Sequence, residues 1–217
     1  MHCPYCLKRL SISSFPRTCI ISYKSGVLVL FVKATLRTVL TSPTCAVYIP
    51  GFALNWASKY DQELAEILKD KEYALKVFGI ERGNKKPRKD ISKWSDVKEN
   101  VEYMYNELFE KNQEEYPFQV INDKESIEKI LKLYVEKYYD ENDDKQTWFD
   151  KIKELSGEMG CAKEVKEFKA NPGMYTAHVG DVSTVLRVAL TKRTNTPDLY
   201  EIMKVLGKEE IERRLRQ

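Results

Sequence analysis

Three stretches carry side chains whose types and spacing could do chemistry. The first is "CPYC" at Cys3–Cys6. A C-x-x-C pair can be a redox dithiol, because the first thiolate is stabilised at a helix N-terminus and attacks from there. That chemistry needs a strand before the motif and a βαβ frame after it, yet only two residues precede Cys3. Structural zinc wants four ligands, and Cys19 and Cys45 stand alone at spacings that fit no common finger or ribbon. Cys3 and Cys6 stay as weak candidates for a thiol redox or zinc site.

The second stretch is "ERGNKKPRKDISK", in which Arg82, Lys85, Lys86, Arg88, Lys89 and Lys93 fall within twelve residues that hold Asp90 as their one acid. Charge runs of this kind are solvated loops or interaction segments, and against a nucleic acid they add salt-sensitive, sequence-independent attraction.

The third is "RVALTKRTNTPDLYEIMKVLG", a helix end, a polar turn and a new helix. Thr196 has the chemistry of an N-cap and Pro197 suits a first helical position. Leu199 is expected off the Ile202, Met203 and Leu206 cluster, and Arg187 comes from the preceding helix. A guanidinium, a hydroxyl and an exposed apolar side chain at one corner can read and pack an unstacked base, as single-stranded RNA is recognised.

The elements that must hold these groups are helices. From Ala53 on, apolar residues recur at helical spacing. Val97, Val101, Met104 and Leu108 make one stripe, with Ser95 placed to cap it. Thr147 is expected to cap the helix of Trp148, Ile152 and Leu155, and Asp181 that of Val182, Val185 and Leu186. Gly160 and Gly207 mark helix stops. Aromatic residues at this spacing read as core rather than as a base-stacking platform. No strand pair, repeat or Gly-rich phosphate loop follows residue 53. The expectation is an all-α bundle of two subclusters, 53–140 and 141–217, the join lying near 140–146 or in the 111–124 loop.

The first 52 residues differ in character. Residues 1–60 hold seven Lys or Arg and no Asp or Glu, so the rest carries 29 basic against 33 acidic residues. This Ser-rich, acid-free segment reads as an extension of unclear structure, like a transit peptide or an unrelated leader; "SGVLVLFV" suggests at most a strand or two. The chain's five cysteines, four of them before residue 46, suit a reducing compartment rather than a disulfide framework. No apolar run approaches the roughly 20 residues that cross a bilayer.

"GDVSTVLRVALTKRTNTPDLYEIMKVLGKEEIERRL" closely resembles the C-terminal end of bacterial glutamyl-tRNA synthetases, where an R-x-A-L-T segment precedes a T-P-x-L-[FY]-E-I helix and a Leu-Gly stop. "KEYALKVFGIERGNKKPRKDISKWSDVKENVEYMYNELF" looks like the start of the same family's anticodon-binding region. The resemblance runs from Ala53 to Gln217. It implies a cytoplasmic protein whose partner is a tRNA, glutamate-accepting with glutamine-accepting tRNA as the alternative. It further implies that Arg187 bonds a splayed base or phosphate, that Thr196 contacts a base edge and that Leu199 packs on the base face. Another arginine of the family reads the anticodon from the first helical domain, with Arg82 and Arg88 as the candidates. Arg82, Lys85, Lys86, Arg88, Lys89, Lys93, Lys192 and Arg193 would contact phosphates. Lys192 and Arg193 also depart from the family, which carries Gly after the Thr, the residue best suited to a tight turn.

A complete synthetase of this class would hold ATP and Mg in a Rossmann domain with an H-x-G-H segment and a lysine-rich loop. "HVGD" at 178–181 ends in Asp, and no such set can be assembled here. No cofactor is expected in this chain. The resemblance implies anticodon binding without independent aminoacylation, with a split synthetase using a separate catalytic partner as the alternative.

Overall fold

In the computed structural model the described residues are 19–24, 27–32, 49–83, 88, 90–113, 115–171 and 173–216. Strands β1 (Cys19–Lys24) and β2 (Val27–Val32) pair antiparallel, Cys19 opposite Val32 and Lys24 opposite Val27. From Ile49 onward the architecture is helical. Helices α1 (Ile49–Tyr60), α2 (Gln62–Ile67) and α3 (Lys71–Gly79) come first. A 3-10 turn at Trp94–Asp96 leads into α4 (Val97–Val101), and a second at Glu102–Met104 into α5 (Asn106–Lys111). Then follow α6 (Lys124–Leu133), which ends in a π-turn over Tyr134–Tyr138, α7 (Lys145–Glu158) and α8 (Val165–Ala170). The chain closes with α9 (Val179–Thr191), α10 (Leu199–Leu206) and α11 (Lys208–Leu215).

The expected stripe of Val97, Val101, Met104 and Leu108 is buried, although the backbone beneath it breaks at extended Tyr105. Helix starts differ from the expectation: carboxylates take the place of the expected hydroxyls of Ser95, Thr147 and Thr196, and at α9 the imidazole of His178 takes the cap expected of Asp181. Asp144 accepts from Thr147 N at 2.8 Å, and Asp198 from Glu201 N at 3.2 Å. Before α4, Asp96 accepts from Lys93 N at 3.1 Å, while Ser95 makes no cap. His178 caps α9, its Nδ1 accepting from Gly180 N at 3.0 Å, and Asp181 closes the box on His178 N at 2.9 Å. A carboxylate meets both the free N–H groups and the positive end of the helix dipole, which a hydroxyl does only in part.

Two hydrophobic cores form. One gathers α1 to α5 around Leu64, Phe78 and Met104; the other gathers α6, α7, α9 and α11 around Tyr134, Leu155 and Leu186. The change of core falls between Phe109 and Ile127, so α6 and its π-turn pack with the second core, not with the first as a join at 140 would have it. Ile49 likewise belongs to α1 and the first core rather than to the N-terminal extension.

Helix α10 is the shared wall. Ile202 enters the first core, while Leu199 and Met203 enter the second. Gly207 then turns the chain at φ +80°, ψ 166°, a region open essentially to glycine alone, and lets α11 fold back. Arg214 on α11 pins the two halves together. Only 2% exposed, it donates to Tyr103 O (2.7 Å), Leu190 O (2.6 Å), Glu210 (2.5 Å) and Asn106 Oδ1 (2.9 Å), and stacks on Phe109 at 3.7 Å. Burial pushes this guanidinium below its ordinary pKa, with Glu210 acting in the opposite direction. A buried charge is tolerable only when its donors are satisfied in this way.

Candidate nucleic-acid interface

The corner between α9 and α10 is built from the last turn of α9. Thr191 Oγ1 donates to Arg187 O at 2.7 Å, which tightens that turn. Lys192 then takes the left-handed conformation (φ 56°, ψ 23°) that the family's glycine would adopt freely. Its ammonium is held over the first core's edge by Phe109 O at 3.1 Å and Asn112 O at 2.5 Å, and lies 4.6 Å from the Phe109 ring and 5.5 Å from that of Tyr116. Lys192 thus clamps the turn instead of standing ready for a phosphate.

Half-buried Arg187 reaches across the corner. Its Nη1 donates to Pro197 O at 2.8 Å, to Thr196 O at 3.2 Å, and to the Thr196 hydroxyl. Burial lowers its pKa from the ordinary guanidinium value, opposed by the charge of Asp198. Among the described residues, no carboxylate pairs with Arg187, and its Nε and Nη2 donate to no protein acceptor. Thr196 is therefore the partner of Arg187 and not a helix cap. Leu199 departs further from the expectation. It is 3% exposed and packed in the second core, so it anchors the start of α10 and offers no face to a base. Its spacing from Ile202, Met203 and Leu206 is that of a buried stripe.

The segment after α3 comes up against this corner. Glu81, at φ 54°, donates its N–H to Glu201 on α10 at 2.9 Å and so ties the segment to the shared wall. Arg82 is 3% exposed and points inward, donating to Phe78 O at 3.0 Å and Asp90 at 2.5 Å. Arg88 takes the other oxygen of Asp90, also at 2.5 Å. Burial alone would raise the Asp90 pKa, but the hydrogen bond from Arg88 and the charges of both arginines outweigh it and hold the carboxyl below its usual range. Two guanidiniums sharing one carboxylate leave donors over: Arg82 Nε, Arg88 Nε and Arg88 Nη1 are buried and, among the described residues, have no partner.

Arg88, Asp90, Asn100, Tyr103, Arg193, Asn195, Thr196 and Pro197, with Glu81, line a cavity of about 200 Å³. On its rim Arg193 pairs with Glu102 at 2.7 Å and lies 5.7 Å from the Tyr103 ring. Glu81 and Lys192, the two non-glycine residues with positive φ among the described residues, hold the segments on either side of it. Such strain concentrates where function demands a fixed backbone.

Of the expected residues, Arg88, Arg193 and Thr196 meet at one cavity, with Arg187 fastened to Thr196 behind it. Arg82 is an internal support, and Lys93 is exposed and, among the described residues, has no ion pair. Lys85, Lys86 and Lys89, like Cys3 and Cys6, lie outside the described residues. The sequence reading missed Tyr103 and Asn195. It also passed over the meaning of Asp90: a single acid inside a basic run is the signal of a shared counter-ion. No group of His, Cys, Asp or Glu suited to a metal ion occurs among the described residues, and no helix there is long and apolar enough to cross a membrane.

The family model described as "Anticodon binding domain" matches residues 62–217. Glutamate–tRNA ligases are similar over the same part of the chain. That of Acetivibrio thermocellus is 41% identical over 167 residues, 76% of this chain and 30% of its own length. One from Clostridium perfringens is 42% identical over 165 residues, 74% of this chain and 30% of its own length. One from Sorangium cellulosum is 39% identical over 171 residues, 78% of this chain and 29% of its own length. The chain thus spans about 30% of the length of the curated relatives it matches. No solved structure matches it. With its paired helical cores and an arginine-lined cavity where they meet, the chain belongs to the anticodon-binding domain family and corresponds to the C-terminal part of glutamate–tRNA ligases.

Proposed function

We propose that the cavity between Arg88 and Thr196 receives an unpaired anticodon base of a glutamate-accepting tRNA. The observation that carries this reading is the meeting of Arg88, Tyr103, Arg193 and Thr196 around one cavity. Arg82 and Arg88 share the single carboxylate of Asp90, and the acceptor-rich edge of a base or a phosphate oxygen would complete the pairing of the Arg88 guanidinium. Arg187 holds Thr196 and Pro197 in place and keeps Nε and Nη2 for the incoming backbone. Tyr103 supplies an aromatic wall. Lys93 and Arg193 add the charge that raises encounter and salt sensitivity, while the cavity supplies specificity. Leu199 contributes by fixing where α10 begins.

A tRNA partner places this chemistry in the cytoplasm. The relatives' ligase reaction, with ATP and Mg, would belong to the length this chain does not cover. A second reading has the chain take part in glutamate–tRNA ligation beside a separate catalytic polypeptide. Adding such a polypeptide should restore charging, and the absence of charging would remove that part. The binding reading is tested by titrating a glutamate anticodon stem–loop into the chain at two salt concentrations. Salt-sensitive binding that Arg88→Gln weakens by about 1–3 kcal/mol, the range of a bidentate base contact, supports it. Equal binding by Arg88→Gln overturns it.

A further inference from the structure

Glu81 is the odd member of the arginine-lined cavity. It belongs to the lining together with Arg88, Asp90 and Arg193, yet among the described residues its carboxylate forms no hydrogen bond or ion pair. The cations around it already have counter-ions: Arg82 and Arg88 share Asp90, and Arg193 holds Glu102 at 2.7 Å. Glu81 is therefore a surplus negative charge in a cavity assigned to RNA. A charge of this sign works against contact with a phosphate, so it is unexplained if the cavity serves the RNA backbone.

A base edge gives it a partner. Carboxylates accept from the exocyclic amino group of cytosine. In uracil a carbonyl stands where cytosine has that amino group, and a carbonyl set against a carboxylate brings two acceptors together with no hydrogen bond between them. Polar sites reject analogues of the same shape in this way.

The backbone fixes where the group stands. Glu81 sits at φ 54°, in the left-handed region that glycine enters freely and a residue with a β-carbon enters at a cost. Both its polar backbone groups are tied. Its N–H donates to Glu201 on α10 at 2.9 Å, and its carbonyl accepts from Arg88 N at 3.2 Å. That last bond couples the surplus acceptor to the principal donor of the lining. Asn100 of the same lining is fixed by its Nδ2, which donates to Asp96 O at 2.8 Å and leaves Oδ1 as a further acceptor. A base that presents an acceptor beside an amino donor matches Arg88 and Glu81 together, and cytosine, with N3 beside its N4 amino group, is such a base.

We propose that Glu81 selects cytosine over uracil in this cavity, accepting from the exocyclic amino group while Arg88 donates to the ring nitrogen beside it. The inference rests on the base-binding reading and adds which edge is read. The test measures binding of the full chain, at one salt concentration, to a glutamate anticodon stem–loop and to the same loop with its anticodon cytosine replaced by uracil. The parent should hold the cytosine loop about tenfold tighter, within the range of base-reading contacts. Glu81→Gln keeps the size of the side chain and adds a donor. It should cut that ratio to about two- to threefold, chiefly by binding the uracil loop more tightly than the parent does. Glu81→Gly, which also relaxes the backbone, should lose the preference without lowering the melting temperature. A parent-like ratio in Glu81→Gln, or equal weakening of both loops, would overturn the assignment. Arg88→Gln separates the two readings. If it weakens the cytosine loop while Glu81→Gln leaves the ratio unchanged, the role of Glu81 alone falls; if it changes nothing, the base-binding reading falls and takes this one with it.

Discussion

Lys192 sets a strained backbone against a well-placed charge, and the two can be separated. A residue with a β-carbon held at φ 56° costs about 1 kcal/mol that glycine does not. The ammonium offsets it with hydrogen bonds to Phe109 O and Asn112 O, and with the Phe109 ring at 4.6 Å. For a half-buried site, the two charged hydrogen bonds together contribute about 2 kcal/mol, and the ring contact about 0.5–1 kcal/mol. Lys192→Ala loses the contacts and keeps the strain, so it should lower unfolding free energy by about 2–3 kcal/mol. Lys192→Gly loses the same contacts and releases the strain, which leaves a loss of about 1–2 kcal/mol. Urea unfolding of the parent and both variants, with slopes compared to confirm a common transition, measures the differences. Equal stability of the alanine and glycine variants would refute the strain, and parent-like stability of both would refute the clamp.

Arg214→Met should lose about 3–5 kcal/mol, because it strands two buried carbonyls where the cores meet and takes from Glu210 one of its two arginine partners; thermal denaturation would read this, and a small loss would mean that the halves hold without it. Asp90 contributes one part of the pH dependence. Its folded pKa is depressed, so its stabilising contribution is complete above the unfolded value of about 4 and is lost as pH falls through the lower folded value. Stability measured from pH 6 down to pH 2 should fall less steeply in Asp90→Asn than in the parent, and parallel curves would contradict the shared ion pair.

Much of this fold is legible in the sequence. Val97, Val101, Met104 and Leu108 announce a buried face by spacing alone, and Gly160 and Gly207 mark where helices stop. The helix starts were less legible, since several polar residues compete for each cap. At the α9–α10 corner, Asp198 outcompetes Thr196, moves the helix start to Leu199, and turns that leucine into the core. The pairing of Arg187 with Thr196 could be anticipated, because both flank one short turn. The contribution of Arg88 could not. It depends on residues 81–90 being carried against residues 193–197 by packing of α3 on α10, and on Arg82 claiming half of Asp90. Local sequence shows a basic run; only tertiary placement separates an internal support from a residue that lines the cavity.

Nitrogen-15 NMR of the arginine side-chain Nε–Hε groups, recorded while a glutamate anticodon stem–loop is added, reports directly on which guanidiniums meet RNA. The Arg88 and Arg187 signals should shift and saturate together, while Arg214, sealed between the cores, stays in place. Shifts at surface arginines such as Arg216, with Arg88 and Arg187 unmoved, would contradict the assignment of the cavity to an anticodon base.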